Sequence, residues 1–106
     1  MKTTSITRKV DNAGRIVIPS QLRNILDIMN KDILEINTNC EQVIFKKHNF
    51  INAELKIGYR YYAIDSKGRI VIPEDIRAQL DIKNKDYVQI YVDGDLLILE
   101  KHTSKE

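Results

Sequence analysis

TRKVDNAGRIVIPSQLRNILDIMNKDILEINTNCEQVIFKKH, from Thr7 to His48, aligns without a gap to YYAIDSKGRIVIPEDIRAQLDIKNKDYVQIYVDGDLLILEKH, from Tyr61 to His102. The offset is a constant 54 residues, and eighteen of the 42 aligned pairs are identical. Many of the others exchange one apolar residue for another. A repeat this regular is one supersecondary unit used twice. A unit of 42 residues lies near the size below which a chain rarely buries enough surface to fold alone. The two copies are therefore expected to share a core, with each other or with copies from a second chain. The expected organisation is a first repeat over 1–48, a linker over 49–60 and a second repeat over 61–106.

Within each copy the punctuation is the same. Asp11-Asn12-Ala13-Gly14 and Asp65-Ser66-Lys67-Gly68 read as tight hairpin loops. Aspartate accepts bonds from its own turn backbone, and glycine takes the positive φ that closes the loop. Arg15-Ile16-Val17-Ile18 and Arg69-Ile70-Val71-Ile72 are unalternating β-branched runs, expected as strands buried on both faces. Pro19 and Pro73 end those strands and open short helices, where the missing N–H is no loss. Leu22, Ile25 and Leu26, like Ile76 and Leu80, fall at helical spacing. Ile33–Ile36 and Tyr87–Val92 then read as strands, followed by turns at Asn39-Cys40 and Asp93-Gly94 and last strands at Val43–Phe45 and Leu96–Leu99. With Ile6–Val10 and Tyr61–Ile64 as first strands, each copy is strand, strand, short helix, strand, strand. The linker could reach roughly 40 Å when extended, so pairing within one chain and pairing between chains both remain open.

Bulk properties narrow the function. Of 106 residues, 42 % are hydrophobic and 30 % charged, as in an ordinary globular domain. No apolar run suits a membrane span, and no signal-peptide pattern opens the chain, so a cytoplasmic, membrane-free location is expected. Net charge is +2, but residues 1–48 carry +3, the linker +1 and residues 61–106 carry −2. The basic first copy points weakly to a polyanion. Cys40 is the single cysteine, read as a tolerated turn residue. His48 and His102 occupy equivalent positions and read as solvent-facing strand ends. No nucleophile–base arrangement, metal set or phosphate loop emerges, so no catalysis and no cofactor are expected.

The arginines stand apart. Arg15 and Arg69 follow the hairpin glycines, Arg23 and Arg77 lie in the helices, and Arg8 and Lys9 lie on the first strand. Together they can form one cationic surface suited to a phosphate backbone, because guanidinium binds phosphate bidentately and stays charged. The competing reading pairs them with Asp11, Asp27, Asp32 and the equivalent aspartates.

The pattern D-x-x-G-R followed by three apolar residues, P-x-x, an apolar residue and R occurs at 11–23 and 65–77. With KDILEI and KDYVQI downstream, it resembles the DNA-binding domain of the AbrB/SpoVT family. The resemblance covers both copies. It implies a mostly β fold with short helices, the swapped-hairpin barrel, here as a pseudo-twofold barrel. It also implies a nucleoid-associated prokaryotic transcription regulator of double-stranded DNA. By position, the implied DNA contacts are Arg8, Lys9, Arg15 and Arg23, then Arg69 and Arg77. Tyr62 replaces the basic strand residue, and Lys67 in place of Ala13 compensates in part. Asn24 and Ala78 stand where the family's namesake has a further arginine. The second copy should thus bind DNA less well, and the surface should be lopsided. The alternative is a protein-interaction module such as a MazE-like antitoxin, although the long acidic tail of that group is not seen here. MraZ proteins, which also carry two such units, need helices for which the linker leaves no room.

Overall fold

The computed structural model describes residues 2–48 and 57–102. The first copy supplies β1 (Lys2–Lys9), β2 (Arg15–Val17), α1 (Ser20–Ile25), β3 (Ile33–Thr38) and β4 (Gln42–Lys47). The second supplies β5 (Arg60–Ala63), β6 (Arg69–Val71), α2 (Glu74–Gln79), β7 (Tyr87–Asp93) and β8 (Leu96–Lys101). The protein is mostly β with two short helices, and every strand pair is antiparallel.

Local chemistry forms the hairpin loops as expected. Asp11 Oδ1 accepts from the Ala13 amide at 2.9 Å and the Arg15 amide at 2.8 Å. Gly14 closes the loop at φ 78°, donating to the Asp11 carbonyl at 3.0 Å. Asp65 and Gly68 repeat the arrangement, with Gly68 at φ 77°. Each helix ends in a Schellman arrangement: Ile28 donates to the Arg23 carbonyl and Ile82 to the Arg77 carbonyl, both at 2.8 Å. The residue that must take positive φ there is Asp27 (56°) or Asp81 (57°), not glycine. Lys47 and Lys101 reach those same aspartate carbonyls at 2.7 Å, so the last strand of each copy caps its own helix.

The pairing runs across the repeats. One six-stranded sheet has the order β1-β7-β8-β4-β3-β5, and β2 pairs with β6 in a separate two-stranded ladder. The first strand of each copy thus adds to the third strand of the other, β1 on β7 and β5 on β3. The fourth strands pair with each other, as do the second strands. This is the swapped-hairpin arrangement, completed here inside one chain.

The core repeats that logic. Val10 and Ile64, Ile16 and Ile70, Ile18 and Ile72, Leu22 and Ile76, Ile28 and Ile82 are buried as equivalent pairs. Leu34 and Val88, Ile36 and Ile90, Val43 and Leu97, Phe45 and Leu99 complete the set, all in one contiguous cluster. Strand alternation explains the choice: every second residue of each sheet strand faces inward.

Two expectations need correction. The Arg15–Ile18 and Arg69–Ile72 runs are not buried on both faces. Val17 is 42 % exposed, while Ile16 and Ile70 are 1 % exposed. The β2–β6 ladder covers the core with one face only, so the other looks outward. His48 is not solvent-facing either. It is buried, with Nδ1 3.0 Å from Glu35 Oε2 and its ring edge-on to Tyr61 at 5.0 Å. His102, at the same repeat position, is exposed.

Candidate nucleic-acid interface

The outward face of the β2–β6 ladder is the centre of the arginine arrangement. Arg15 lies opposite Val71, and Val17 opposite Arg69. Opposed residues share a face, so Arg15, Val17, Arg69 and Val71 all lie away from Ile16 and Ile70. Arg15 and Arg69 are diagonal neighbours in the ladder, a relation that sets them about 7–8 Å apart.

Each guanidinium is held by its own turn. Arg15 Nε donates to Asp11 Oδ2 at 3.0 Å, and Arg69 Nε to Asp65 Oδ2 at 2.7 Å. One carboxylate thus fixes the loop backbone with one oxygen and the arginine with the other. Burial alone would raise the Asp11 carboxyl, but bonds from the Arg15 and Ala13 amides and the Arg15 guanidinium hold it below its ordinary value. The Arg69 amide, aided by the Arg69 guanidinium and the Lys67 amide, lowers Asp65 in the same way. Both aspartates therefore remain charged wherever DNA could bind. The ion pairs use Nε, and neither guanidinium has an Nη partner among the described residues, with about a third of each arginine side chain exposed (35 % and 28 %). Ion pair and phosphate contact are thus compatible on one side chain.

The helix arginines do not follow the aspartate-pairing reading: among the described residues neither forms an ion pair with an aspartate. Arg23 Nε donates to the Ile18 carbonyl at 2.9 Å, and Arg77 Nε to the Ile72 carbonyl at 2.8 Å. Each guanidinium then lies against the hairpin glycine of the other repeat. A Cβ at Gly14 would sit 2.6 Å from Arg77 Cζ, and one at Gly68 would sit 3.0 Å from Arg23 Cζ. The absence of a side chain at these glycines makes the approach possible, a second role beyond the turn.

Two hybrid clusters result. One joins Arg15 of the first repeat to Arg77 of the second; the other joins Arg69 of the second to Arg23 of the first. Nothing in either repeat alone shows this exchange, and local pattern assigns each arginine to its own copy. The first cluster has an added latch: Arg77 Nη1 reaches Asn84 Oδ1 at 3.4 Å, and Asn84 Nδ2 reaches the Asn12 carbonyl at 3.3 Å. Lys67 is exposed at the tip of the second hairpin, beside the second cluster. The β1 pair is divided by alternation. Arg8 shares the face of Ile6 and Val10, whereas Lys9 leaves the opposite face, with Nζ 5.9 Å from the Tyr87 ring centroid.

Among the described residues, no group of three His, Cys, Asp or Glu side chains is placed to hold a metal ion. No helix there is long and apolar enough to cross a membrane.

Fold and arginine placement together define the class: a swapped-hairpin β domain of AbrB-like architecture. The family model described as "Antidote-toxin recognition MazE, bacterial antitoxin" matches residues 64–106. The transition state regulatory protein AbrB of Bacillus subtilis (strain 168) is 54 % identical over 48 residues, covering 45 % of this chain and 50 % of that protein. Stage V sporulation protein T of the same organism is 37 % identical over 95 residues, covering 83 % of this chain and 53 % of that protein. The chain thus spans about half the length of the curated relatives it matches. PHS018 from Pyrococcus horikoshii, solved in solution, shares the fold at a TM-score of 0.53 and 24 % identity, over 96 % of this chain and 95 % of that one. The chain carries AbrB/SpoVT-type domains of the AbrB/MazE superfamily, in tandem.

Proposed function

We propose that this chain is a non-catalytic, double-stranded-DNA-binding transcription regulator whose contacts come from Arg15, Arg23, Arg69 and Arg77, with Lys67, Arg8 and Lys9 beside them. The observation that supports this reading most is the pair of arginines on the outward β2–β6 face, each anchored through Nε to its own turn aspartate and partly exposed. Anchoring removes the rotamer freedom that binding would otherwise have to freeze. Regulation is what the name of AbrB describes, and it carries over here as part of the proposal. The two repeats, 1–48 and 61–106, act in it as a single folding unit.

Arg15→Ala with Arg69→Ala should weaken binding to duplex DNA by roughly 1–3 kcal/mol for each arginine replaced. It should also flatten the dependence of affinity on salt, because fewer counterions are released. Fluorescence anisotropy across a salt series measures both. Unchanged affinity in the double variant would show that the DNA-binding surface lies elsewhere.

The antitoxin alternative draws on the family match to residues 64–106. A stoichiometric protein partner, recovered from a chain that DNA does not retain, would favour it.

A further inference from the structure

We infer that a single chain presents two unlike half-sites and therefore binds a non-palindromic duplex in one fixed orientation. The inference rests on the DNA-binding reading and deepens it. A symmetric homodimer must offer the same surface twice, and palindromic sites mirror that symmetry. Here both halves come from one chain, because β1 adds to β7, β5 to β3, β2 to β6 and β8 to β4 within it. Nothing obliges the halves to match, and they do not.

At one end, the hairpin tip offers Asn12 and Ala13 beside Arg15. Its helix arginine, Arg77, is latched by Asn84, which also holds the Asn12 carbonyl. The helix carrying it opens with Glu74 and with Asp75, whose carboxylate is paired with Arg60, leaving Glu74 as the uncompensated acid there among the described residues. At the other end, the tip offers Ser66 and Lys67 beside Arg69. Arg23 keeps its bond to Ile18 but makes no such latch among the described residues, and α1 has no acid in its first turn.

The exchange of arginines between repeats sharpens the contrast. Assigning weakness to the second copy as a whole fails, because its hairpin is served by the first copy's helix. The Lys67–Arg69–Arg23 end is the more cationic and should dominate phosphate attraction. Phosphate contacts position the protein, whereas groups at base edges specify. An amide and a methyl at one tip, against a hydroxyl and an ammonium at the other, present different donors and acceptors to the groove. The same base sequence cannot satisfy both ends equally.

The test begins with selection from a pool of random-sequence duplexes, followed by sedimentation of the complex. One chain per duplex and a motif that is not self-complementary are expected. Orientation is read with an iron–EDTA cleavage probe. In a Cys40→Ser background, a probe on Ser66→Cys should cut one end of the selected site. The same probe on Asn12→Cys should cut the other. Both positions are exposed turn tips, and the selection itself needs no substitution. Ser66→Ala with Lys67→Ala should relax base preference in one half of the motif, by about tenfold or more, whereas Arg23→Ala with Arg69→Ala should weaken binding about equally across sequences. A self-complementary motif, or equal cutting at both ends by the Ser66 probe, would overturn the inference while leaving DNA binding intact. Failure to enrich any duplex would instead overturn the regulator reading.

Discussion

Alanine at Gly14 tests the interlocking of the two repeats most directly. The new Cβ meets Arg77 of the other repeat, with Cζ at 2.6 Å and Nε at 2.7 Å. Approaches that short are not tolerated, but the far end of an arginine can swing away. Doing so breaks its 2.8 Å bond to the Ile72 carbonyl. Loss of a half-exposed charged hydrogen bond costs about 1–2 kcal/mol. The φ of 78° at this position adds roughly 1–2 kcal/mol for any residue with a Cβ. Gly14→Ala should therefore destabilise by about 2–4 kcal/mol. Combined with Arg77→Ala, the backbone strain remains but the arginine bond cannot be broken twice. The double variant should fall short of additivity by about 1–2 kcal/mol. Gly68→Ala with Arg23→Ala should show a smaller shortfall, since the approach there is 3.0 Å. Urea unfolding of the four proteins in each cycle measures this. Additivity at Gly14 and Arg77 to within about 0.5 kcal/mol would mean that the arginine does not cross to the other repeat, and the hybrid clusters would fall with it.

Other outcomes follow from the same geometry. Phe45, in the first repeat, is 1 % exposed, so Phe45→Ala should cost about 3–5 kcal/mol. All five tyrosines lie at Tyr59 or beyond, outside the first repeat, so an unshifted tyrosine transition in this variant would refute a shared core. Tyr91 is buried, and that burial, together with the carboxylate of Glu100 at 2.7 Å, pushes its phenol up to about 12. The raised value means that its contribution to stability is fully present below the unfolded value near 10 and is lost as pH rises through about 12. Tyr91→Phe should remove that alkaline loss in denaturant titrations, and an unchanged alkaline limb would argue against it. At Asp27, with φ 56°, glycine relieves left-handed strain but adds unfolded-state entropy, for a net gain of about 0.5 kcal/mol. Asp81→Gly should gain less in thermal melts, because the Asp81 carboxylate holds Lys101 at 3.2 Å, closer than Asp27 lies to Lys47 at 3.7 Å.

Much of the fold is legible in the amino-acid order, because the deciding interactions are short in range. The Asp-x-x-Gly loops need only their own backbone and side chain. Pro19 and Pro73 act on the next residue, and alternation or helical spacing marks the inward face. Pattern misleads where a distant element decides exposure. The Ile16–Ile18 run is apolar throughout, yet Val17 is exposed between buried Ile16 and Ile18, because it lies on the outward face of the β2–β6 ladder, which no described element covers. His48 and His102 share a repeat position, but Glu35 and Tyr61 enclose only the first.

By itself, the sequence determined the doubled unit, its turns, the equivalent apolar positions that become one core, and the arginines available for an anion. Tertiary structure alone decided which strand each strand would join, and hence that Arg77 lies on Gly14 and Arg23 on Gly68. The reason is physical: a turn or a helix start is set by groups a few bonds apart. Pairing between repeats is chosen by burial and hydrogen bonding across some fifty residues of chain, a separation over which local pattern carries no address.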